Sequence, residues 1–536
     1  MDFDSNLSTP QVSGSNLCID GLTSIRPLSD SFGVAAIPGC LKPCFRGRYR
    51  GMEKLAIKSI SLTRFNALGG YARHPATMMT LEELEYLEIE GGSVIGILTK
   101  DLIDQDFGGI VMARDRNLRF RGVDVTGFFA RPEKAREALV DGMRNAARIQ
   151  VEAHHQGDEV GEPVDFFEHR HEPSRLNPSF VQLTTNEGYS PAREIIEPMM
   201  RWYEDADGNF VEQFQTTGFD QRIWELYLFA VLIEAGYLLD RKYNVPDFCC
   251  SGVLGKLFVE AVTVGPTVRE GRIVPPPTID TPEGLERYLK DYMPIKFGSA
   301  LFSKLKKKYW LHPHVADAPL VLAIADFSSP MSMVHSQPAL ERYLWGYEHE
   351  GVLNDSGALI ITPRRVERHQ NDGKIIPSGF FRLPDSEHIS AIVSTNAGTI
   401  AKFNRLGVLG KFGSKRVLLV REGRMVDHDP NAMINKFFKV IVNSDGYEED
   451  WIEGLNVYHN PRASVPMQME MLPGAAHHFC GDDGQVTSFT PYFHPTSSIT
   501  HHHYPVDVAS LLAEVGDKTH TIWTVKSNRG DPEEEE

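Results

Sequence analysis

The segment from Asn244 to Val264, NVPDFCCSGVLGKLFVEAVTV, sets the strictest limit on what this chain can fold into. KLFVEAVTV is a near-continuous apolar run of strand length, the pattern of a strand buried on both faces. Such a strand needs partners on both edges and a layer on each face, so the segment predicts a layered α/β core. It nevertheless carries Glu260 in its middle, and the strand before it opens with Asp247 directly after Pro246. A carboxylate in that setting costs on the order of several kcal/mol unless something pairs with it.

A third misplaced acid lies upstream. The stretch IWELYLFAVLIEAGYLL, residues 223 to 239, is interrupted by Glu225 and Glu234 and is short for a membrane span, so it reads as a buried helix over 220–235. Glu225 sits between Trp224 and Leu226 on or near a buried face, or reaches the helix edge to pair with Arg222. Three carboxylates in one dry core raise each other's pKa. A divalent cation resolves the conflict: Mg²⁺ or Mn²⁺ takes one or two carboxylates together with water and substrate phosphate. Such an ion activates water for attack at phosphorus.

The surrounding pattern is helix (220–235), strand (237–243), strand (246–250), a turn at Ser251 and Gly252, and strand (256–264). A Pro-rich insertion follows, with a helix opened by Thr281 and Pro282. Then come a basic helix, SALFSKLKKKYW, and an apolar strand, APLVLAIADF. This αβββαβ order, the PDF at Pro246 to Phe248 and a carboxylate thirteen positions after Asp247 resemble the PD-(D/E)XK nuclease superfamily, with its restriction-endonuclease-like fold. The resemblance implies that Asp247 and Glu260 ligate Mg²⁺ or Mn²⁺, that Glu225 assists through water on the ion, and that nucleic acid, DNA rather than RNA, is hydrolysed. Defence against foreign DNA is the implied role. The wider chain is also similar to a group of bacterial proteins in which DGNFVEQFQTTGFDQRIWELYLFA precedes the PDF segment, a likeness that implies no activity.

One position departs from the family pattern. The lysine expected two residues after the strand carboxylate would fall at 262, where this chain has Val262. Lys304, beside Leu301 and Leu305 on the next helix and one turn from Lys308, is read as the migrated catalytic cation that positions water and offsets developing charge. Lys306, Lys307 and Lys308, with Arg114, Arg116, Arg119 and Arg121 of RDRNLRFR, are read as a phosphate-tracking patch. The alternative is an inactive nuclease-like scaffold that binds nucleic acid or a partner protein, with Val262 as the mark of lost catalysis. A second alternative is a zinc-dependent hydrolase using His459, His477, His478 and His501 to His503. Consecutive histidines in a strand face opposite ways, so the triplet offers one site two ligands at most.

Composition bounds these readings. The 536 residues, 41% hydrophobic and 24% charged, suit a soluble globular protein of roughly three domains. Fifty-five basic against 72 acidic residues, a net charge of −17, exclude a protein that coats nucleic acid over its whole surface, so any such contact is local, with an oligomer or a protein partner as its possible aid. The six cysteines suggest no disulfide framework, and a basic n-region followed by an apolar h-region is lacking, which together predict a cytoplasmic protein with no membrane partner. Cys40 and Cys44 lack a second pair for zinc, DADGNFVEQF lacks the later acidic ligand of a calcium loop, and Arg529–Asp531 spells a cell-adhesion tripeptide by chance.

The expected organisation is an extended arm over 1–53 and a small α+β module over 54–155. The module reads as a helix at TLEELEYLEIE capped by Thr80, three strands and a second helix. A connector with a helix covers 156–218, the nuclease-like domain 219–350, a β-rich region 351–525 and a solvated acidic tail 526–536.

Overall fold

Gly255–Val264 is the long strand around which the protein is arranged, pairing antiparallel with Phe248–Gly252 on one edge and parallel with Leu320–Asp326 on the other. Alternation divides its side chains between two layers. Phe258, Val262 and Val264 join Met293, Phe297 and Leu301 of the Met293–Leu305 helix in one core cluster. Val259 and Ala261 join Trp224 and Leu228 of the Phe219–Glu234 helix in the other. Trp224 is fully buried, stacks on Tyr227 and donates from Nε1 to the Ala323 carbonyl at 3.0 Å, tying its helix to the neighbouring strand.

The sheet extends to eight strands in the spatial order Val486–Phe489, Ala476–Cys480, Leu455–His459, Ala391–Thr395, Leu320–Asp326, Gly255–Val264, Phe248–Gly252, Leu238–Leu239. Ala391–Thr395 runs parallel to Leu320–Asp326, and Leu455–His459 runs antiparallel to Ala391–Thr395. The expected boundary at 350/351 therefore passes through one continuous sheet. A strand as apolar as Leu320–Asp326, buried at all seven positions, needs a partner on its second edge, and the later segment supplies it.

The structure is a computed structural model describing residues 55–149, 154–203, 208–516, 518–524 and 533–535, all within one unit, Leu55–Glu536. Its class is mixed α/β with several sheets. Upstream of the large sheet, Ile57–Ser59, Leu81–Ile89, Val94–Asp101, Phe107–Arg114 and Phe120–Val125 form an antiparallel sheet in chain order. The Pro132–Ala146 helix covers one face, where Leu139 and Met143 press on Gly96 and Gly109. Ile95, Ile97 and Met112 on the other face join the same core cluster as Trp224. A further five-stranded sheet runs Pro495–His503, Leu418–Met425, Lys436–Ile441, His520–Thr524, Glu533–Glu535.

Several elements differ from the sequence reading. TLEELEYLEIE is a strand, Leu81–Ile89, and Thr80 ends the short Pro75–Thr80 helix instead of capping a new one. Its glutamates favour helix intrinsically, but pairing with Val94–Asp101 across a bulge at Glu83–Glu85 overrides that weak preference. The strand expected over 237–243 shrinks to Leu238–Leu239, and the hairpin turns at Val253–Leu254, between paired Gly252 and Gly255. The basic helix ends at Leu305, because Lys308 adopts φ +50°, so Lys304 and Lys308 do not share a helical face. Glu533–Glu535 of the acidic tail pairs as an edge strand. The 1–53 arm with Cys40 and Cys44, Asp205 and Asp207 of the calcium-like loop, and Arg529–Asp531 lie outside the described residues.

Two helices distant in sequence, Ser190–Trp202 and Ile400–Leu409, touch through Gly407, where an added Cβ would stand 2.3 Å from the Pro191 carbonyl oxygen. Gly407→Ala is expected to destabilise the fold by about 1–3 kcal/mol through overpacking. Urea unfolding should show a lower midpoint at unchanged slope.

Candidate functional site

Asp247 and Glu260 come together because the two strands that carry them are neighbours. Phe248 is opposite Val259, which sets Asp247 beside Glu260 one step further along the ladder. The Asp247 amide donates to Glu260 Oε2 at 3.2 Å, and Asp247 Oδ2 accepts from the Ala261 amide at 2.7 Å. Glu260 is only 3% exposed, yet it is well partnered on its other oxygen. Lys304 Nζ donates to Glu260 Oε1 at 2.5 Å, and the Tyr309 hydroxyl donates to the same atom. Even positions of the central strand face the Met293–Leu305 helix, so the last turn of that helix delivers Lys304 to Glu260 across the layer.

Glu225 occupies the helix on the other layer and is held by three donors. Arg222 Nη1 lies 2.5 Å from Oε2, the Tyr203 hydroxyl 3.1 Å from Oε2, and Gln221 Nε2 3.0 Å from Oε1. The pairing with Arg222 weighed from the sequence is thus present, and Glu225 is still close enough to Asp247 to act on it electrostatically. Arg241 stands over the Tyr203 ring at 4.7 Å and brings another cation to this end of the sheet.

The electrostatics are those of too much negative charge. Burial, with Glu260 and then Glu225 adding repulsion, pushes Asp247 up to about 7, and Lys304 offsets only part of this. Burial and the Glu260 carboxylate push the Tyr309 phenol up, and burial and Glu225 do the same for Tyr203, so both hydroxyls remain donors. Of the three carboxylates, Glu260 pairs with Lys304 and Glu225 with Arg222, while Asp247 has no cation in contact among the described residues. Asp247 and Glu260 are the residues of this donor set that could hold a hard divalent cation, whose remaining coordination water or phosphate oxygens would fill. Among the described residues, three ligand atoms approach within 4.8 Å of one another only at Asp385, Glu387 and His388, so Glu225 is not positioned as a third direct ligand beside Asp247 and Glu260.

The remaining candidates are dispersed. Lys308 pairs with Asp385 at 2.9 Å, while Lys306 and Lys307 are exposed and lie over Phe302 and Tyr309. The expected arginine patch is internally neutralised: Arg119 is buried against Asp115 at 2.9 Å, Arg121 pairs with Asp158 at 3.1 Å, Arg116 pairs with Glu162, and Arg114 covers Phe120. A strand that must bury Phe120 turns these side chains toward the adjacent acidic loop and toward Trp202 instead of toward a phosphate track. His459 Nε2 and His477 Nδ1 hydrogen-bond each other at 2.9 Å, His478 binds Asn456 Oδ1 at 3.0 Å, and His501 faces Glu422 at 3.1 Å. These contacts take up both ring nitrogens of His477 and His478 and one each of His459 and His501. Cys249 and Cys250 are buried free thiols.

Tyr309, Tyr203 and Gln221 were not anticipated from the sequence. Gln221 and Glu225 stand one helical turn apart, a spacing that places them on one face. The tyrosines carry no local signal, because tertiary packing alone brings them in. Comparison with protein-family models, curated proteins and solved structures finds no match.

Asp247 has its ionised form disfavoured in the fold, so its contribution to stability is complete below the ordinary aspartate range and is lost as pH rises towards about 7. Asp247→Asn keeps an acceptor for the Ala261 amide. In metal-free buffer the variant should melt above wild type at about pH 8, and the gap should close by about pH 4. Adding Mg²⁺ or Mn²⁺ should raise the wild-type melting temperature and leave the variant's unchanged.

Proposed function

We propose that the protein is a metal-dependent nuclease that hydrolyses phosphodiester bonds, with DNA as the favoured substrate. The observation that carries this reading is the meeting of Asp247 and Glu260 on adjacent buried strands with Lys304 2.5 Å from Glu260. The helix Phe219–Glu234, the strands Leu238–Leu239, Phe248–Gly252 and Gly255–Val264, the helix Met293–Leu305 and the parallel strand Leu320–Asp326 follow one another as the αβββαβ order of a restriction-endonuclease-like core requires. That supports assigning such a core, extended here on one side by later strands.

Asp247 and Glu260 would hold Mg²⁺ or Mn²⁺, and the ion would supply an activated water and offset charge at the phosphoryl group. Lys304, in contact with Glu260, would take the role of the lysine that position 262 lacks. Its ammonium orients the attacking water and stabilises negative charge that develops on the phosphate oxygens. Tyr309 donates to the same Glu260 oxygen as Lys304, leaving Oε2 to the Asp247 amide. Glu225, fixed by Arg222, Gln221 and Tyr203, adds negative potential that strengthens cation binding and can accept a hydrogen bond from water. Strand cleavage at the 3′ or 5′ oxygen consumes one water and leaves a phosphate monoester.

The second reading is a scaffold that binds nucleic acid or a protein partner without cutting. Val262 favours it, as does the use of Lys304 as an ion-pair partner for Glu260. Cleavage of plasmid, linear duplex, single-stranded DNA and RNA with Mg²⁺, Mn²⁺ or EDTA separates the two. Metal-dependent cutting should fall about 100-fold or more in Glu260→Ala and about 100- to 1,000-fold in Lys304→Ala. Loss in Glu260→Ala alone would move the catalytic cation elsewhere, and no cutting of any substrate under either metal would favour the scaffold.

A further inference from the structure

A cleft of about 820 Å³ opens at the far end of the same strand and helix that carry Glu260 and Lys304. Its walls are the chain after the central strand, Thr263–Arg269, the proline run Pro275–Pro277, the first turns of the Met293–Leu305 helix and the turn Asn371–Lys374. Four cations line it, Arg269, Arg287, Lys296 and Lys374, against a single carboxylate, Asp372. Asp372 is taken by the two arginines, at 2.8 Å and 3.6 Å. The lysines differ. Lys296 Nζ is held by the Gly265 carbonyl at 2.7 Å and Thr267 Oγ1 at 2.9 Å, and Lys374 Nζ by Ser299 Oγ at 2.6 Å. Neither has a carboxylate within ion-pair distance among the described residues, and Lys296 is half-buried. Burial and the neighbouring Lys374 work against its charge, and Asp326 offsets part of this.

Two ammonium groups close enough to repel, both fixed by neutral oxygens and both on one cleft, lack an anion. In a chain of net charge −17 this concentration of uncompensated positive charge is local. The cleft joins the ends of the core strand Gly255–Val264 and the core helix Met293–Leu305 to the Pro-rich insertion and the Asn371–Lys374 turn. Its relation to the candidate site is set by the shared helix: Lys296 and Lys304 are eight residues apart, about 12 Å along the axis. Four strand residues from Glu260 to Val264 span a similar distance, about 13 Å. That interval matches the axial rise of roughly three to four base pairs of a duplex.

We infer that this cleft binds phosphate groups of the nucleic-acid strand flanking the cleavage position, through Lys296 and Lys374. The inference rests on the nuclease reading for its choice of ligand, since a free nucleotide offers the same phosphate chemistry. The cleft holds the strand to one side while Asp247, Glu260 and Lys304 act on the other, so substrates too short to reach it bind weakly.

The test uses the full chain and a fluorescent duplex of about 20 base pairs, titrated in EDTA at several salt concentrations, with cleavage in Mg²⁺ measured separately. Lys296→Gln combined with Lys374→Gln should weaken duplex binding roughly tenfold and reduce the dependence of log K on log salt by about two. Lys134→Gln, exposed on the Pro132–Ala146 helix, serves as a control that should bind as wild type. Unaltered melting temperature in the double variant excludes misfolding as the cause. Lysine-dependent binding without cleavage by the wild type would uphold the cleft and overturn the active-nuclease reading. Cleavage with unchanged binding in the double variant would overturn the cleft and leave the nuclease standing. Lysine-dependent binding of ATP with no binding of duplex would overturn the nucleic-acid assignment of the cleft.

Discussion

The parallel pairing of Gly255–Val264 with Leu320–Asp326 is the constraint on which the rest depends. Two parallel neighbours cannot be joined by a tight turn, so the chain must leave the sheet, cross a face and return. The Met293–Leu305 helix is the core of that crossover, and its last turn arrives over the middle of the strand it left. Lys304 therefore reaches Glu260 from 44 residues away, as a by-product of how the sheet is connected. The same crossover carries the Pro-rich insertion, and with it the basic cleft.

Two buried ionic clusters show how differently one fold treats carboxylates. Glu449 is fully buried, and burial alone would push its carboxyl up. Arg405, Lys402 and Arg421 surround it and hold it well below the usual carboxylate range instead. The Glu449 carboxylate is thereby satisfied, and Arg405 and Lys402 tie the Ile400–Leu409 helix to the segment before Leu455–His459. At Asp247 the balance runs the other way, with acids outnumbering the cations in contact. A carboxylate ringed by cations, as at Glu449, is a structural tie, whereas the charge imbalance at Asp247 is the kind that functional sites also show.

Much of this could be read from the residues in order. The apolar run around Glu260 exposed both its central position and the anomaly of its charge, and the helix spacing brought Glu225 and Lys304 into consideration. What escaped had no local signature. LEELEYLEI has the composition of a helix, and only the neighbouring strand makes it a sheet. RDRNLRFR looks like a phosphate track until Asp115, Asp158 and Glu162, two of them far along the chain, are folded against it. Tyr309 follows three lysines and reads as part of a solvated surface, yet it is 2% exposed because the helix stops at Leu305 and the chain turns inward. The boundary at 350 failed to register as internal because sheet order is not sequence order.

That last feature has a consequence in time. A nascent chain that has emerged only as far as residue 350 already contains every residue of the candidate site, but its Leu320–Asp326 strand still has a bare edge of unpaired amides and carbonyls. Ala391–Thr395 covers that edge, and three further strands, ending at Phe489, complete the sheet. The sheet that holds Asp247 and Glu260 is thus complete only once the segments up to Phe489 have joined it, so its central strands depend on residues far beyond those of the candidate site.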